Sequence, residues 1–235
     1  MKIYALMENI SHDECLACEH GLSLYIEADG KKILFDTGAS ENFAANAEKM
    51  GVDLKAVDFA AISHGHYDHG GGLAKFIEIN DHAPIYISNK GFNQYYSGTD
   101  FNVSIPEGLE GNPRFVLTSE PIKLSENITL LNCNDREAKY FADPYGLNKL
   151  VDGEFIPDDF LHEQYLIIEE NGKRIVISGC SHKGILNIME WLKPDILIGG
   201  FHFFRLTTED EDAATLDKSA TILNEYGATY YTCHC

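Results

Sequence analysis

Basic residues are scarce in this chain, 18 Lys and Arg against 37 Asp and Glu in 235 residues. A formal charge of −19 leaves no basic footprint, which argues against wrapping nucleic acid or lying on an anionic membrane. No run approaches the ~18 apolar residues of a membrane span. The opening MKIYALMENI has no basic start followed by an apolar stretch of roughly 7–15 residues, so a cytoplasmic chain is expected. Repeats, low-complexity segments, linker-like composition and nucleotide-binding glycine loops are all missing, and one domain over residues 1–235 is expected. Cysteines are too few for a disulfide scaffold: Cys15 and Cys18 in CLAC, Cys233 and Cys235 in CHC, and Cys133 and Cys180 alone. Reduced thiols are expected. CLAC, with no second CxxC, reads as an unligated loop, against the alternatives of half a zinc site or a redox pair.

What the chain does contain is strand-like sequence with helices between. SLYIEAD (23–29) and KKILFDTG (31–38) meet at Asp29-Gly30, a dipeptide that favours a tight hairpin turn. A helical pattern follows, with Ser40 as N-cap, Phe43, Ala47 and Met50 on one face and Gly51 as terminator. VDFAAIS (57–63) predicts a strand, 72–79 a helix and APIYIS (83–88) a strand. Residues 89–113, rich in Gly, Asn and Ser, predict a loop or lid. RFVLT (114–118) and NITLLNC (127–133) predict strands, and 164–179 a second hairpin turning at Asn171-Gly172. Helices are expected at 184–192 and 212–227, and strands at DILIGGF (195–201) and ATYYTCHC (228–235). Two β-rich blocks, each closing on alternating strands and helices, predict two stacked sheets with helices outside.

The densest chemistry lies in AISHGHYDHGGG (61–72), which holds His64, His66, Asp68 and His69. In an extended segment side chains alternate, so His64, His66 and Asp68 would share one side, and Gly70-Gly71-Gly72 would let His69 fold back toward them. Imidazole with carboxylate suits zinc, iron or manganese. More donors than one tetrahedral ion uses imply a pair of metals. A polar loop with chance histidines is the plainer alternative, but a strand-like run leads straight into the motif and three glycines follow it.

Read as HxHxDH, residues 64–69 resemble the signature of the metallo-β-lactamase-fold hydrolases, and FDTG (35–38) resembles the short motif ahead of it. EHGLSLYIE (19–27), SHGHYDHGGGL (63–73), SGCSHKGI (178–185), GGFH (199–202) and CHC (233–235) are similar to the branch of dihydropterin-aminobenzene-ribofuranose 5′-phosphate synthase-like proteins. The resemblance implies an α/β (α+β) fold, the αββα four-layer sandwich, with a metal site at one edge between the sheets. It implies two divalent ions, zinc first, with manganese or iron as alternatives. His64 and His66 would hold one ion and Asp68 and His69 the other, with His234 of CHC completing the second. For the first ion the third ligand would be His182 in GCSH, with His162 in FLHEQ as the alternative. Cys180 stands where many members place an aspartate that bridges both metals. It would be either a thiolate ligand or a small buried filler.

Paired cations imply hydrolysis through a metal-bridging hydroxide that is available at neutral pH, with the ions also stabilising the oxyanion formed on attack. Asp68 would ligate and orient that hydroxide as the catalytic residue, and Asp36 would orient a ligand histidine. His20 and His202 would contact the substrate phosphate or leaving group, or be structural histidines. With Arg205 and Lys183 near the motifs, the expected partner is a small anionic substrate, a phosphate ester or phosphodiester, and neither nucleic acid nor membrane. Oligomeric state is not indicated. The alternatives are an iron-dependent redox enzyme on the same fold and a non-catalytic metal- or ligand-binding protein. The resemblance counts against the oxygen-reductase form of the redox reading, because His66 stands where that branch is expected to carry a carboxylate.

Overall fold

In a computed structural model that describes residues 1–203 and 205–235, the chain opens with β1 (Lys2–Met7), β2 (Ser23–Ala28) and β3 (Lys31–Phe35), paired antiparallel. Asp29 and Gly30 join β2 to β3 with φ of 50° and 69°, the left-handed pair that a tight hairpin turn needs. Next come α1 (Asn42–Lys49), β4 (Phe59–Ala61), α2 (Tyr67–Gly70), α3 (Leu73–Ile79) and β5 (Ile85–Ser88). The middle of the chain forms β6 (Tyr95–Ser97), β7 (Phe101–Asn102), β8 (Phe115–Thr118), β9 (Ile122–Lys123), β10 (Ile128–Leu131), β11 (Leu147–Val151) and β12 (Glu154–Pro157). The remainder is β13 (Tyr165–Glu170), β14 (Lys173–Ile177), α4 (Ile185–Leu192), β15 (Ile196–Gly199), α5 (Asp210–Glu225) and β16 (Thr229–Thr232).

One sheet runs β1-β2-β3-β4-β5-β8 and a second runs β16-β15-β14-β13-β10-β9. The period-2 alternation of the central strands divides the core into three layers. Leu24, Ile26, Ile33 and Phe35 of the first sheet meet Leu166, Ile168, Ile175 and Ile177 of the second, all buried between the sheets. The intervening residues Tyr25 and Leu34 face the other way, onto Phe43 of α1 and Phe76 of α3. On the far side Tyr165, Ile167 and Val176 pack under Ile185, Ile188 and Met189 of α4 and Leu223 of α5. Helix, sheet, sheet, helix is therefore the order of layers, and each fully buried aliphatic side chain contributes roughly 1.5–3 kcal/mol to holding them. No helix among the described residues is long and apolar enough to cross a membrane.

Several local expectations are corrected. Residues 89–113 are not simply a loop: β6 and β7 join β11 and β12 in a separate four-stranded sheet, order β12-β11-β6-β7. These strands are two to five residues long and mostly half-exposed or exposed, too short and too weakly apolar for alternation to show. β1 was also unexpected. The helix N-cap is Glu41 rather than Ser40, although the Ser40 hydroxyl still accepts from the Asn42 amide at 3.2 Å. The strand expected over 57–63 narrows to Phe59–Ala61.

Candidate metal centre

β3, β4 and β5 are parallel neighbours in one sheet, and β14, β15 and β16 in the other, and the carboxyl ends of five of these strands deliver the chemistry. β3 ends at Asp36, β4 at the 63–69 motif, β14 at Gly179–His182, β15 at His202 and β16 at Cys233–Cys235. Such crevices beyond the carboxyl ends of parallel strands are where open sheets place their sites. Asp36, Ser181, His202 and His234 all have left-handed φ, between 54° and 62°. Non-glycine residues take that conformation at a cost, and its concentration here points to function.

The motif itself is built differently from the extended geometry that alternation suggests. His66 is the extended N-cap residue of α2, and Asp68 and His69 lie on that single helical turn. The three glycines serve close packing rather than a reversal, Gly70 against the Ile105 side chain and Gly71 and Gly72 against backbone. A Cβ on Gly71 would lie 2.2 Å from the Ala39 carbonyl oxygen and one on Gly72 2.4 Å from that of Thr37.

Asp36, buried at 0% exposure, fixes two histidines at once. Its Oδ2 accepts from His69 Nδ1 at 2.7 Å and from the Ser63 hydroxyl at 2.7 Å, while Oδ1 takes the Ser63 amide at 2.6 Å. The Ser63 oxygen then accepts from His64 Nδ1 at 2.8 Å. Both imidazoles thus spend Nδ1–H on this network and present Nε2 as a lone pair. His64 Nε2 faces His182 Nε2 at 3.2 Å, and the buried His66 Nε2 has no hydrogen-bond partner. Donor atoms of His64, His66 and His182 all lie within 4.8 Å of one another. Burial pushes all three imidazoles down, His64 and His182 well below their ordinary range and His66 to about 3, so all are neutral donors near pH 7.

A second group abuts the first, the His64 and His69 rings being 4.1 Å apart. It gathers Asp68, His69, Cys180 and His234 within the same 4.8 Å limit. Asp68 Oδ2 accepts from His234 Nε2 at 3.1 Å and lies 3.3 Å from His20 Nε2. Burial pushes this carboxyl up, but His69 and the bonds from His20 and His234 outweigh it and hold the group well below the usual carboxylate range. His234 is anchored by Asn9, whose Oδ1 lies 2.8 Å from Nδ1 and whose Nδ2 donates to the His234 carbonyl at 2.8 Å, and by Glu8, which accepts from its amide. His202 is buried 4.2 Å from the His182 ring, within reach of Cys180.

His162 falls elsewhere. It is 1% exposed, its Nδ1 accepts from the Gly65 amide at 2.8 Å, and its Nε2 bonds Asp158 at 3.0 Å. Both ring nitrogens are thereby committed, and it groups with His66 and Asp158 instead of with His64. Glu163 is the residue that sequence reasoning missed. It is buried, and it accepts from the amides of His182 at 2.7 Å and Lys183 at 3.0 Å and from Tyr165 Oη at 2.7 Å. The only advance signal was a charge at the mouth of an apolar strand. Lys183 turns toward Asn134, while Arg205 lines a 190 Å³ cavity together with His20, Asp68, His202 and both Cys180 and Cys235. His182, His202 and Arg205 also line a 490 Å³ cavity walled by Tyr140, Phe141, Tyr145, Phe201 and Phe203. Cys15 and Cys18 are exposed and belong to no donor group among the described residues.

The donor set fits metal ions. Two imidazole nitrogens face each other at 3.2 Å, and His66 Nε2 beside them is buried with no hydrogen-bond partner, an orphaned donor atom that a cation would satisfy. Fold and site together define a metal-dependent hydrolase fold, and the chain belongs to the metallo-beta-lactamase superfamily, whose sequence model matches residues 17–216. It is 32% identical over 234 residues to a 7,8-dihydropterin-6-methyl-4-(beta-D-ribofuranosyl)-aminobenzene-5′-phosphate synthase of Methanocaldococcus jannaschii, covering 89% of this chain and 80% of the relative. An uncharacterized protein of the same organism is 31% identical over 209 residues, covering 85% of this chain and 78% of that one. The crystal structure of a metal-dependent hydrolase of the beta-lactamase superfamily superposes with a TM-score of 0.80 at 29% identity, over 99% of this chain and 87% of that one.

Proposed function

We propose that this chain is a two-metal hydrolase acting on a small anionic substrate, a phosphate ester or phosphodiester. The observation that carries the reading is the pair of abutting donor groups, His64, His66 and His182 beside Asp68, His69 and His234. Zinc is the first expectation, with manganese or iron fitting the same donors, and two such ions when bound would supply Lewis acidity and a water acidic enough to ionise near neutral pH.

The chain's own residues do the rest. Asp36 holds His69 directly and His64 through Ser63, so neither ring can turn its donor nitrogen away. Asp68, anchored by His234, presents a charged oxygen toward the cavity and orients the attacking water there. His202 lines the same cavity and is placed to give a proton to a leaving oxygen, while Arg205 supplies positive charge for the substrate's phosphate. In a chain of net charge −19, that local positive charge is what selects an anion.

A second reading takes its support from the aromatic-walled 490 Å³ cavity beside His182. The relative from Methanocaldococcus jannaschii is named a synthase of a product carrying a dihydropterin, an aminobenzene and a ribofuranose phosphate. The same centre could then serve group transfer onto a phosphorylated aromatic molecule. Turnover of bis(p-nitrophenyl) phosphate and p-nitrophenyl phosphate by protein purified without chelators or affinity-column nickel, with metal content measured in parallel, tests the hydrolytic reading. Metal-loaded protein that consumes oxygen with persulfides and cleaves no ester would overturn it.

A further inference from the structure

Cys180 and Cys235 bring their Sγ atoms to 3.1 Å, although 55 residues separate them. The hydrolytic steps above assign no role to this pair. Cys180 Sγ also lies 3.1 Å from His69 Nε2, and it is the one donor that belongs both to the group of Asp68, His69 and His234 and to that of His182 and His202. Cys235 is held against it by backbone: its carbonyl accepts from the amides of Phe201 at 2.7 Å and His202 at 3.3 Å. A Cβ on Gly200 would come within 3.0 Å of the Cys235 Cβ, so glycine there lets the two segments close. Both cysteines line the 190 Å³ cavity, and a small molecule that reaches Asp68 reaches them too. A disulfide bond is about 2.05 Å long, so closure needs an approach of about 1 Å.

We propose that Cys180 and Cys235 are a modification site, a reversible disulfide that withdraws the Cys180 sulfur from the metal donors and ties metal occupancy to thiol redox state. The coupling to metal rests on the two-metal reading above, whereas the disulfide itself stands on the thiol geometry. The oxidant is a low-molecular-weight disulfide. Cys235, the half-buried member of the pair, gives up its proton and attacks one of its sulfurs, the small S–S bond breaks and one small thiol leaves with that proton. Cys180 then attacks Cys235 Sγ in the mixed disulfide, and the second small thiol departs with the Cys180 proton. Two protein sulfurs are oxidised and one small disulfide is reduced, so electrons and protons balance without another reagent.

The test adds glutathione disulfide to protein loaded with zinc and to protein treated with chelator, and maps tryptic peptides without reduction. The chelated protein should yield a Cys180–Cys235 linked peptide that a reductant reverses. With zinc bound the link should form about tenfold more slowly or less, because ligand binding protects the form that holds it. In Cys235→Ser the linked peptide should disappear, and zinc affinity in the native protein should fall on oxidation and return on reduction. Oxidation of the exposed Cys15 and Cys18 with no link at Cys180 would overturn the disulfide. Equal rates with and without bound zinc would overturn the coupling, and protein that retains no zinc at all would instead overturn the two-metal reading.

Discussion

His182 Nε2 stands 3.2 Å from His64 Nε2, two buried imidazoles separated by 118 residues and brought together where β4 and β14 end on facing sheets. Each sheet by itself carries an incomplete set of donors. Only stacking the sheets, which the interlocked aliphatic layer enforces, sets GCSH against the HxHxDH segment. A glycine is needed at the seam, since a Cβ on Gly179 would lie 2.3 Å from Ser63 Oγ and 3.1 Å from His64 Nδ1. Stability of the sandwich and assembly of the metal centre are therefore the same event.

His182→Ala should lower metal affinity of the first group by about 10–100-fold or more. His162→Ala should leave metal content intact and reduce stability, because it strands the Gly65 amide and Asp158 in a buried place, at about 1–3 kcal/mol for each unsatisfied group. Metal analysis and thermal melts on both variants check this. An empty first site in His162→Ala together with a full one in His182→Ala would reverse the assignment.

Asp68→Asn keeps the side-chain shape and removes the anion that His20 and His234 address. The second group should weaken toward zinc and hydrolysis should fall by about two orders of magnitude or more, as when a group aimed at developing charge is lost. Circular dichroism should be nearly unchanged, since Asp68 sits on a one-turn helix at the sheet edge rather than in the aliphatic layers. Unaltered kinetics at saturating metal would remove Asp68 from the chemistry.

Chain segments with strong periodicity were legible in the sequence. Leu24 and Ile26 against Tyr25, or Leu166 and Ile168 against Tyr165, announce strands buried on both faces, and two such hairpins with helices between already imply four layers. The first-sheet edge β1 and the sheet formed by β6, β7, β11 and β12 were not legible, because short strands of half-exposed residues give alternation little to act on. Compact motifs such as HGHYDH marked candidate donors and the resemblance put His182 ahead of His162, but the hydrogen bonds that separate the two were not legible. That choice depends on which ring nitrogens are already hydrogen-bonded, and Asp158 and the Gly65 amide occupy both of those of His162.

The metal-free protein should lose stability in mild acid. Burial holds His66 at about 3, and His64 and His182 well below the ordinary 6.5, so below pH 6.5 the unfolded chain binds protons that the folded chain refuses. Each such histidine removes about 1.4 kcal/mol per pH unit until its folded form titrates. Asp68, held low, acts in the same direction below its ordinary 3.8. His234 opposes at the other end: burial lowers it, but Asp68 and Cys235 raise it to about 10, so its contribution is complete below pH 6.5 and disappears toward pH 10. Thermal melts of chelated protein from pH 8 to pH 5 should fall steadily below about pH 6.5. A flat profile over that range would contradict burial of the three imidazoles in neutral form.

Glu163 makes the last prediction, because it touches no donor side chain and yet sets where one of them points. Its two carboxylate oxygens divide between the amides of His182 and Lys183, and Tyr165 Oη adds a third bond from β13. Glu163→Ala strands the buried His182 amide, at about 1–3 kcal/mol, and the part-buried Lys183 amide at less, and frees the turn in which Ser181 holds a left-handed φ of 62°. Glu163→Gln retains one acceptor and sets its amide group against a donor, so its effect should be intermediate. Tyr165→Phe, which removes only the third bond, serves as the control for general destabilisation of the same strand. If Glu163 positions His182, zinc affinity at the first group should fall about tenfold or more in Glu163→Ala, as orienting partners of metal ligands typically require, partly recover in Glu163→Gln and stay near normal in Tyr165→Phe. Melting temperatures that fall in all three variants while first-group zinc affinity holds constant would make Glu163 a packing residue and leave the geometry of His182 to the strand alone.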